Sequence, residues 1–335
     1  MLKANSLIEF SIFTNGLLLS TFSTDSNVKA FYGFETGVNL PTFGVEGQVL
    51  IELLRALPDS PVKFSFKDEN VVKISVGKKS SKMLITPGDV FPLAPNYDNY
   101  EFFPAPGLFE KIDKVSFAAS HNANDVRENL KCVCIGENDV VATNGFRMAV
   151  IPHGLNMQGM KFLLPIFTVT KLFKVFKETE KDQLSVSIDG DGSFMHFKLG
   201  DCVCSVRTIA KDYVQYWKII PTSPYDEAKI NRIALLETLA LTSVMANQMK
   251  GVNMDFSDSR LKVYNHKQDL GDIEDELEIE FSAVKSITLN SSYLEDVLKR
   301  LSGDTINLEI RGELNPLVIR DGEYVNVIMP QKRNG

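Results

Sequence analysis

The chain has one tryptophan, four histidines and four cysteines among 335 residues, and these scarcities exclude several kinds of chemistry. The histidines, His121, His153, His196 and His266, stand far apart in sequence, without metal-ligand spacing. No Ser/His/Asp order, Walker phosphate loop or glycine-rich dinucleotide turn occurs in its required context. No apolar run approaches the roughly 20 residues needed to span a bilayer. The N-terminus, MLKANSLIEFSIF, lacks the basic, apolar, small-residue order of a secretory leader. These absences lead us to expect a cytoplasmic protein with reduced thiols.

The cysteines form two Cys-x-Cys pairs, Cys132/Cys134 and Cys202/Cys204, each inside an alternating segment. Usual zinc knuckles place their ligands on tight turns, so core strand cysteines are expected, with no metal. IDGDG at 188–192 lacks the further ligands of a calcium loop and is a hairpin turn. The acidic run IEDELEIE at 273–280 reads as a loop running into a solvent-facing strand. No cofactor is expected.

What is present is an ordinary globular composition, 44% apolar and 24% charged. The net charge of -7 argues against a surface that coats nucleic acid generally, but leaves room for a local basic face.

The chain repeats itself. Three segments begin at Val62 (VKFSFKDENVVKISVGKKSSKMLITP), Leu184 (LSVSIDGDGSFMHFKLGDCVCSVRTIA) and Ile306 (INLEIRGELNPLVIRDGEYVNVIMP), 122 residues apart each time. Each reads as strand, turn, strand, strand. A helix pattern precedes each: QVLIELLRALP, then VTKLFKVFKETEK, with Val169, Leu172, Phe173 and Phe176 at helical spacing, then SYLEDVLKRL, with Leu294, Val297, Leu298 and Leu301 behind the capping candidates Asn290 and Ser291. Further upstream, strand pairs start at Ile8, Leu130 and Val252, again 122 residues apart. The second and third units open with additional helix patterns at 107–120 and 227–247, for which the first has no room. A period this long marks domain triplication rather than a solenoid. The expected fold is α+β, in three repeated domains over 1–102, 103–222 and 223–335.

One stretch does not fit a plain hairpin. In VVATNGFRMAV, residues 140–150, the Asn144-Gly145 pair is a strong turn signal. Phe146, Arg147 and Met148 then place a large apolar, a cationic and a deformable side chain on its far side.

With "VSFAAS…NDVRENLKCVCI", "SVRTIAKDYVQYWKIIP" and the closing "YVNVIMPQKR", this stretch makes the chain resemble the bacterial DNA polymerase III beta subunits, the replicative sliding clamps. The resemblance covers essentially the whole length. It departs in the first unit, which is without the opening strand and helix, as in a shortened, phage or mobile-element relative or in a chain whose start has been lost.

The resemblance implies a head-to-tail ring of two chains, with helices lining a pore around double-stranded DNA and antiparallel sheets outside. It implies a non-catalytic processivity factor of DNA replication. The replicative polymerase, clamp loader and repair proteins would dock through a Gln/Leu/Phe-type peptide. The cleft for that peptide falls on Leu130, Thr143, Gly145, Phe146, Arg147, Met148, Val214, Lys218, Ile219, Val327, Met329 and Pro330, with Arg147 expected on the rim. Asn144 and Phe146 replace the usual Asp and His, Val214 a Pro and Lys218 an Arg. The DNA-facing cations would be Lys111, Lys114, Lys171, Lys174, Lys177, Lys181, Lys229, Arg232, Lys299 and Arg300. The 171–181 lysines also recur at helical spacing away from the apolar face. The homodimer interface is expected on the strand at Lys82, Met83 and Ile85. Two alternatives stand open: a clamp relative that stays monomeric, and an α+β enzyme whose site carries no recognisable motif.

Overall fold

The computed structural model describes residues 7–68, 70–91, 101–157, 159–176, 183–222, 225–268 and 270–333. They form two compact units, one from residues 1–107 and 168–208, the other from 108–167 and 209–335. Among the described residues no helix is long and apolar enough to cross a membrane.

The first unit opens with β1 (Leu7–Phe13), β2 (Gly16–Phe22), β3 (Ser26–Gly33) and β4 (Leu40–Glu46), followed by α1 (Gly47–Ala56). Then come β5 (Lys63–Asp68), β6 (Val71–Val76), β7 (Lys79–Leu84), β8 (Thr86–Pro87) and β9 (Phe103–Pro104). The chain re-enters this unit within α3 (Ile166–Phe176) and adds β14 (Ser185–Ile188), β15 (Phe194–Leu199) and β16 (Cys202–Arg207). Nine strands make one sheet in the order β8-β4-β1-β2-β3-β16-β15-β14-β9, and β5-β6-β7 make a second.

Alternation explains the small sheet. Val72, Ile74 and Val76 are buried and their neighbours half-exposed, the period-2 pattern of a strand with one covered face. Its inner face packs on Phe10, Phe43 and Leu50 of the large sheet and α1. The Phe10 and Phe43 rings stack 5.2 Å apart. Met83 of β7 turns into this core and is 7% exposed, whereas the next residue, Leu84, is 75% exposed. Among the described residues β7 pairs only with β6, and its other edge is unpaired.

The second unit contains α2 (Leu108–Ser116), β10 (Cys132–Ile135), β11 (Asp139–Thr143), β12 (Arg147–Pro152) and β13 (Phe162–Pro165). It continues with β17 (Asp226–Asn231), α4 (Arg232–Thr242), β18 (Gly251–Ser257), β19 (Arg260–Lys267) and β20 (Gly271–Glu278). The last elements are β21 (Lys285–Asn290), α5 (Ser291–Leu298), β22 (Thr305–Ile310), β23 (Leu317–Asp321) and β24 (Tyr324–Ile328). Eight strands run β13-β10-β11-β12-β24-β23-β22-β17, and four run β20-β19-β18-β21. The central join is β12 to β24, with Met148 opposite Val327.

Two expectations change. The helix expected over 227–247 begins only at Arg232; its first residues are β17, where Ala228 and Ile230 are buried and Lys229 points out. Asn231 ends that strand and caps α4, its side chain accepting from the Ala234 N–H at 2.9 Å, a cap worth about 1 kcal/mol. The acidic run is strand nearly throughout, because Ile273, Asp275 and Leu277 alternate with exposed carboxylates along β20. Asn290 caps α5 as expected, accepting from Tyr293 N–H at 3.2 Å.

His196 of β15 is fully buried, and its Nδ1 shares a 2.8 Å hydrogen bond with Ser205 Oγ on β16. Burial pushes its pKa down to about 4 from 6.5. Between those values the unfolded chain binds more protons than the folded one, so stability falls as pH drops from about 6.5 to about 4 and is level above. The loss should reach about 3 kcal/mol at most. Urea denaturation across this window checks it: His196→Leu, which takes no proton, should show a flatter profile, and equal slopes for the two proteins would disprove the assignment.

Candidate functional site

The hairpin between β11 and β12 is built by its own side chains. Thr143 Oγ1 donates to the Arg147 carbonyl at 2.7 Å and accepts from the Gly145 N–H at 3.0 Å. Asn144 Oδ1 accepts from the N–H groups of Phe146 and Arg147 at 2.9 and 3.0 Å. Gly145 has φ +89°, and a Cβ there would lie 3.0 Å from Arg127 Nη1. The position therefore requires glycine both for its backbone and for the neighbour it touches.

Beneath this turn is a cavity of about 250 Å³. Met148 and Val327, partners across the β12–β24 join, lie in its buried floor. Leu130, just before β10, and Val214 and Ile219, after β16, line it too, with Phe146, Met329 and Arg127. The Met329 N–H donates to the Phe146 carbonyl at 2.8 Å, carrying the strand ladder past the turn. Phe146 is 58% exposed and Met329 38%. The site is thus an apolar hollow with solvent-facing hydrophobic groups at its mouth, the form of a binding pocket rather than of a closed core.

Ten of the twelve expected cleft residues meet here. Lys218 and Pro330 are outside the lining, Lys218 being exposed on a short turn. Arg127 was not anticipated, although it lies within the quoted NDVRENL stretch. Asp125 holds it through Nε at 3.0 Å and Nη2 at 2.9 Å. That pairing keeps the Asp125 carboxyl well below its usual range. Arg127 Nη2 also donates to the Asn144 carbonyl at 3.3 Å, which fixes a half-exposed cation beside the turn.

Arg147 is not on the rim. It is 9% exposed, with Nη1 2.6 Å from Asp296 Oδ2 and Nη2 donating to the Phe117 carbonyl. Its guanidinium lies over the Phe117 and Tyr293 rings at 4.9 and 4.5 Å. It therefore ties β12 to α5 and to the segment after α2. Cys132 and Cys134 pack in the core against Met148, Tyr213 and Val327, and burial pushes both thiols up to about 12. Among the described residues no group of three or more His, Cys, Asp or Glu could hold a metal ion.

The expected DNA-facing cations divide. Lys171 and Lys174 are exposed on α3; Lys177 and Lys181 lie outside the described residues. Lys229 is on a strand, not a helix, and pairs with Glu280 at 3.1 Å. Arg232 donates to the carbonyls of Gly303 and Leu298 at 2.6 and 3.3 Å, closing the end of α5. Lys111 donates to the His153 carbonyl at 2.9 Å, and Lys114 lies 3.8 Å from Asp321 and over the Tyr324 ring. Lys299 pairs with Glu295 at 3.1 Å, and Arg300 covers the Phe117 ring at 4.2 Å. At the strand expected to form the dimer interface, Lys82 is exposed, Ile85 half-buried and Met83 part of the core.

Residues 217–332 match the family model described as DNA polymerase III beta subunit, C-terminal domain. The Beta sliding clamp of Salmonella typhimurium strain LT2 is 21% identical over 301 residues, covering 86% of this chain and 81% of that protein. That of Staphylococcus aureus strain Mu50 is 21% identical over 330 residues, covering 93% and 86%. The crystal structure of the DNA polymerase sliding clamp from Pseudomonas aeruginosa superposes with a TM-score of 0.89 at 18% identity, covering 99% of this chain and 93% of that one. A sliding clamp from the same organism bound to griselimycin gives the same values. The fold is that of these proteins.

Removing the Arg147 guanidinium strands Asp296 and empties the gap between two rings. Arg147→Ala should destabilise the protein by about 2–3 kcal/mol, and Arg147→Lys should recover only part of this, since an ammonium neither stacks nor forks. Denaturant midpoints of the three proteins measure it; a loss under about 0.5 kcal/mol for the alanine variant would return Arg147 to the rim.

Proposed function

Since the chain carries the sliding-clamp fold over its whole length and matches the DNA polymerase III beta subunit in its last third, we propose that it is a sliding clamp: a non-catalytic ring that encircles duplex DNA and tethers the replicative polymerase. The observation that carries the docking half of this reading is the cavity under Thr143–Met148, where ten residues expected from the motif converge. An extended peptide with a Gln-x-x-Leu-Phe core fits it. Its leucine and phenylalanine would enter the hollow, each contributing roughly 1.5–3 kcal/mol on burial. Met148 and Met329 adapt to different partners, clamp loader and repair proteins among them.

The three-domain partition, 1–102, 103–222 and 223–335, is supported by the recurring element order. β5–β7, β14–β16 and β22–β24 each follow a helix. The exposed Lys171 and Lys174 of α3 are the best supported phosphate contacts, having among the described residues none of the structural duties that occupy Lys111, Lys114, Arg232 and Arg300. Sequence-blind attraction of this kind suits sliding.

Ring closure is a head-to-tail contact of two copies. Among the described residues β7 and β20 are edge strands; β7 carries Lys79 and Lys82, and β20 carries Asp272, Glu274, Glu276 and Glu278, of which the first three are paired with His266, Lys262 and Arg260 of β19. Two open strand edges, lysines on one and an acidic strand with Glu278 outside its ion pairs on the other, favour β7 of one copy against β20 of the next.

Calorimetry of the protein with a Gln-x-x-Leu-Phe peptide should give micromolar binding, on the order of -7 to -8 kcal/mol. Met329→Ala should weaken it, and no heat at about 100 µM peptide would sink the cleft reading.

Sedimentation at about 10 µM should give a mass near twice 37.4 kDa. Leu84→Asp, on the outward face of β7, should shift it toward one chain without loss of fold. Met83 is no probe of this, because its replacement damages the core. A wild type of one-chain mass would remove the ring.

A further inference from the structure

Beside the first cavity is a second, of about 460 Å³, and Val214 lines both. Its wall is formed by Tyr216 and Trp217, by Met160 and Lys161 ahead of β13, and by Glu137 in the turn between β10 and β11. Trp217 is 60% exposed and Met160 46%. Tyr216 is fixed: its hydroxyl donates to Asp139 Oδ2 at 2.9 Å. Its ring meets that of Trp217 edge to face, 5.2 Å between centroids. The indole is thereby held open to solvent by a neighbour that is itself anchored, at the cost of leaving a large apolar surface wet.

The charges around it are unequal. Lys161 has a carboxylate partner, Asp212, at 3.5 Å. Glu137 is exposed and makes no ion pair among the described residues. An uncompensated carboxylate beside an aromatic face is a receptor for a cationic side chain.

We propose that this second cavity is a subsite for a lysine or arginine in the segment flanking the apolar core of the partner peptide. The inference rests on the first cavity being the peptide cleft, and it adds a preference among partners. The core anchors in the first hollow, the chain passes over Val214, and the basic side chain settles between Trp217 and Glu137. Peptides with the same core but neutral or acidic flanks gain nothing there.

Trp217 is the only tryptophan in the chain, so its emission reports this cavity alone. Peptides are compared that share the Gln-x-x-Leu-Phe core and carry a flanking Lys-Arg, Ser-Ser or Asp-Asp pair on either side. The bare core should bind by calorimetry and leave the emission unchanged. One of the Lys-Arg peptides should shift the emission, shield Trp217 from acrylamide, and bind roughly two- to fivefold more tightly. Glu137→Gln and Trp217→Phe should abolish that gain and leave core affinity unchanged. Core binding with no emission change from either Lys-Arg peptide overturns the subsite while the cleft stands. A shift produced by the acidic peptide instead overturns the charge assignment. No binding of any peptide removes cleft and subsite together.

Discussion

The pairing of β12 with β24 is the constraint on which the second unit's surface depends. It joins a strand near the middle of the sequence to the last strand of the chain's described residues, and it sets Met148 against Val327. Everything at the cavity is referred to that register. A slip of β24 by one residue would turn Val327 to the opposite face of the sheet and away from Met148. The hydrogen bond from Met329 to Phe146 continues the same ladder. The Met148–Val327 floor and the Phe146–Met329 rim are therefore positioned by one set of backbone interactions, while Leu130, Val214 and Ile219 close the lining from segments outside the two strands.

Arg147 adds a second brace through its side chain. Its buried guanidinium bridges a strand, a helix and the segment after another helix, with a carboxylate, a carbonyl and two rings as partners. Rigid support beneath a deformable lining of methionine and valine lets a pocket keep its place while adjusting its shape.

Much of this was legible in the amino-acid order, because the signals were local or periodic. The alternation in each strand triplet and the Asn290 cap state themselves within a few residues, and the 122-residue repeat shows as a fixed period. Where the reading failed, the deciding partner was distant. Arg147 reads as a surface residue in a turn; only Phe117, Tyr293 and Asp296, from other segments, draw it inside. Residues 226–231 merge with a helical pattern that follows directly, and the buried Ala228 and Ile230 become diagnostic only once β22 lies alongside. Arg127 had a weak local sign in Asp125-x-Arg127, but its place beside Gly145 depends on the fold. Lys229 and Arg232 likewise have partners that the sequence does not announce, Glu280 and the end of α5.

The inward turn of Met83 bears on how a closed assembly could open. One face of β7 belongs to the hydrophobic core of its own unit, and the free edge carries only backbone groups and outward side chains. Separation along that edge exposes hydrogen-bonding groups that water can satisfy and leaves the aromatic core around Phe10 and Phe43 intact. In the proposed ring, the work of parting two copies would thus be decoupled from the work of unfolding either. A ring closed through β7 could be opened and resealed repeatedly by a modest force, with each chain keeping its native interior throughout.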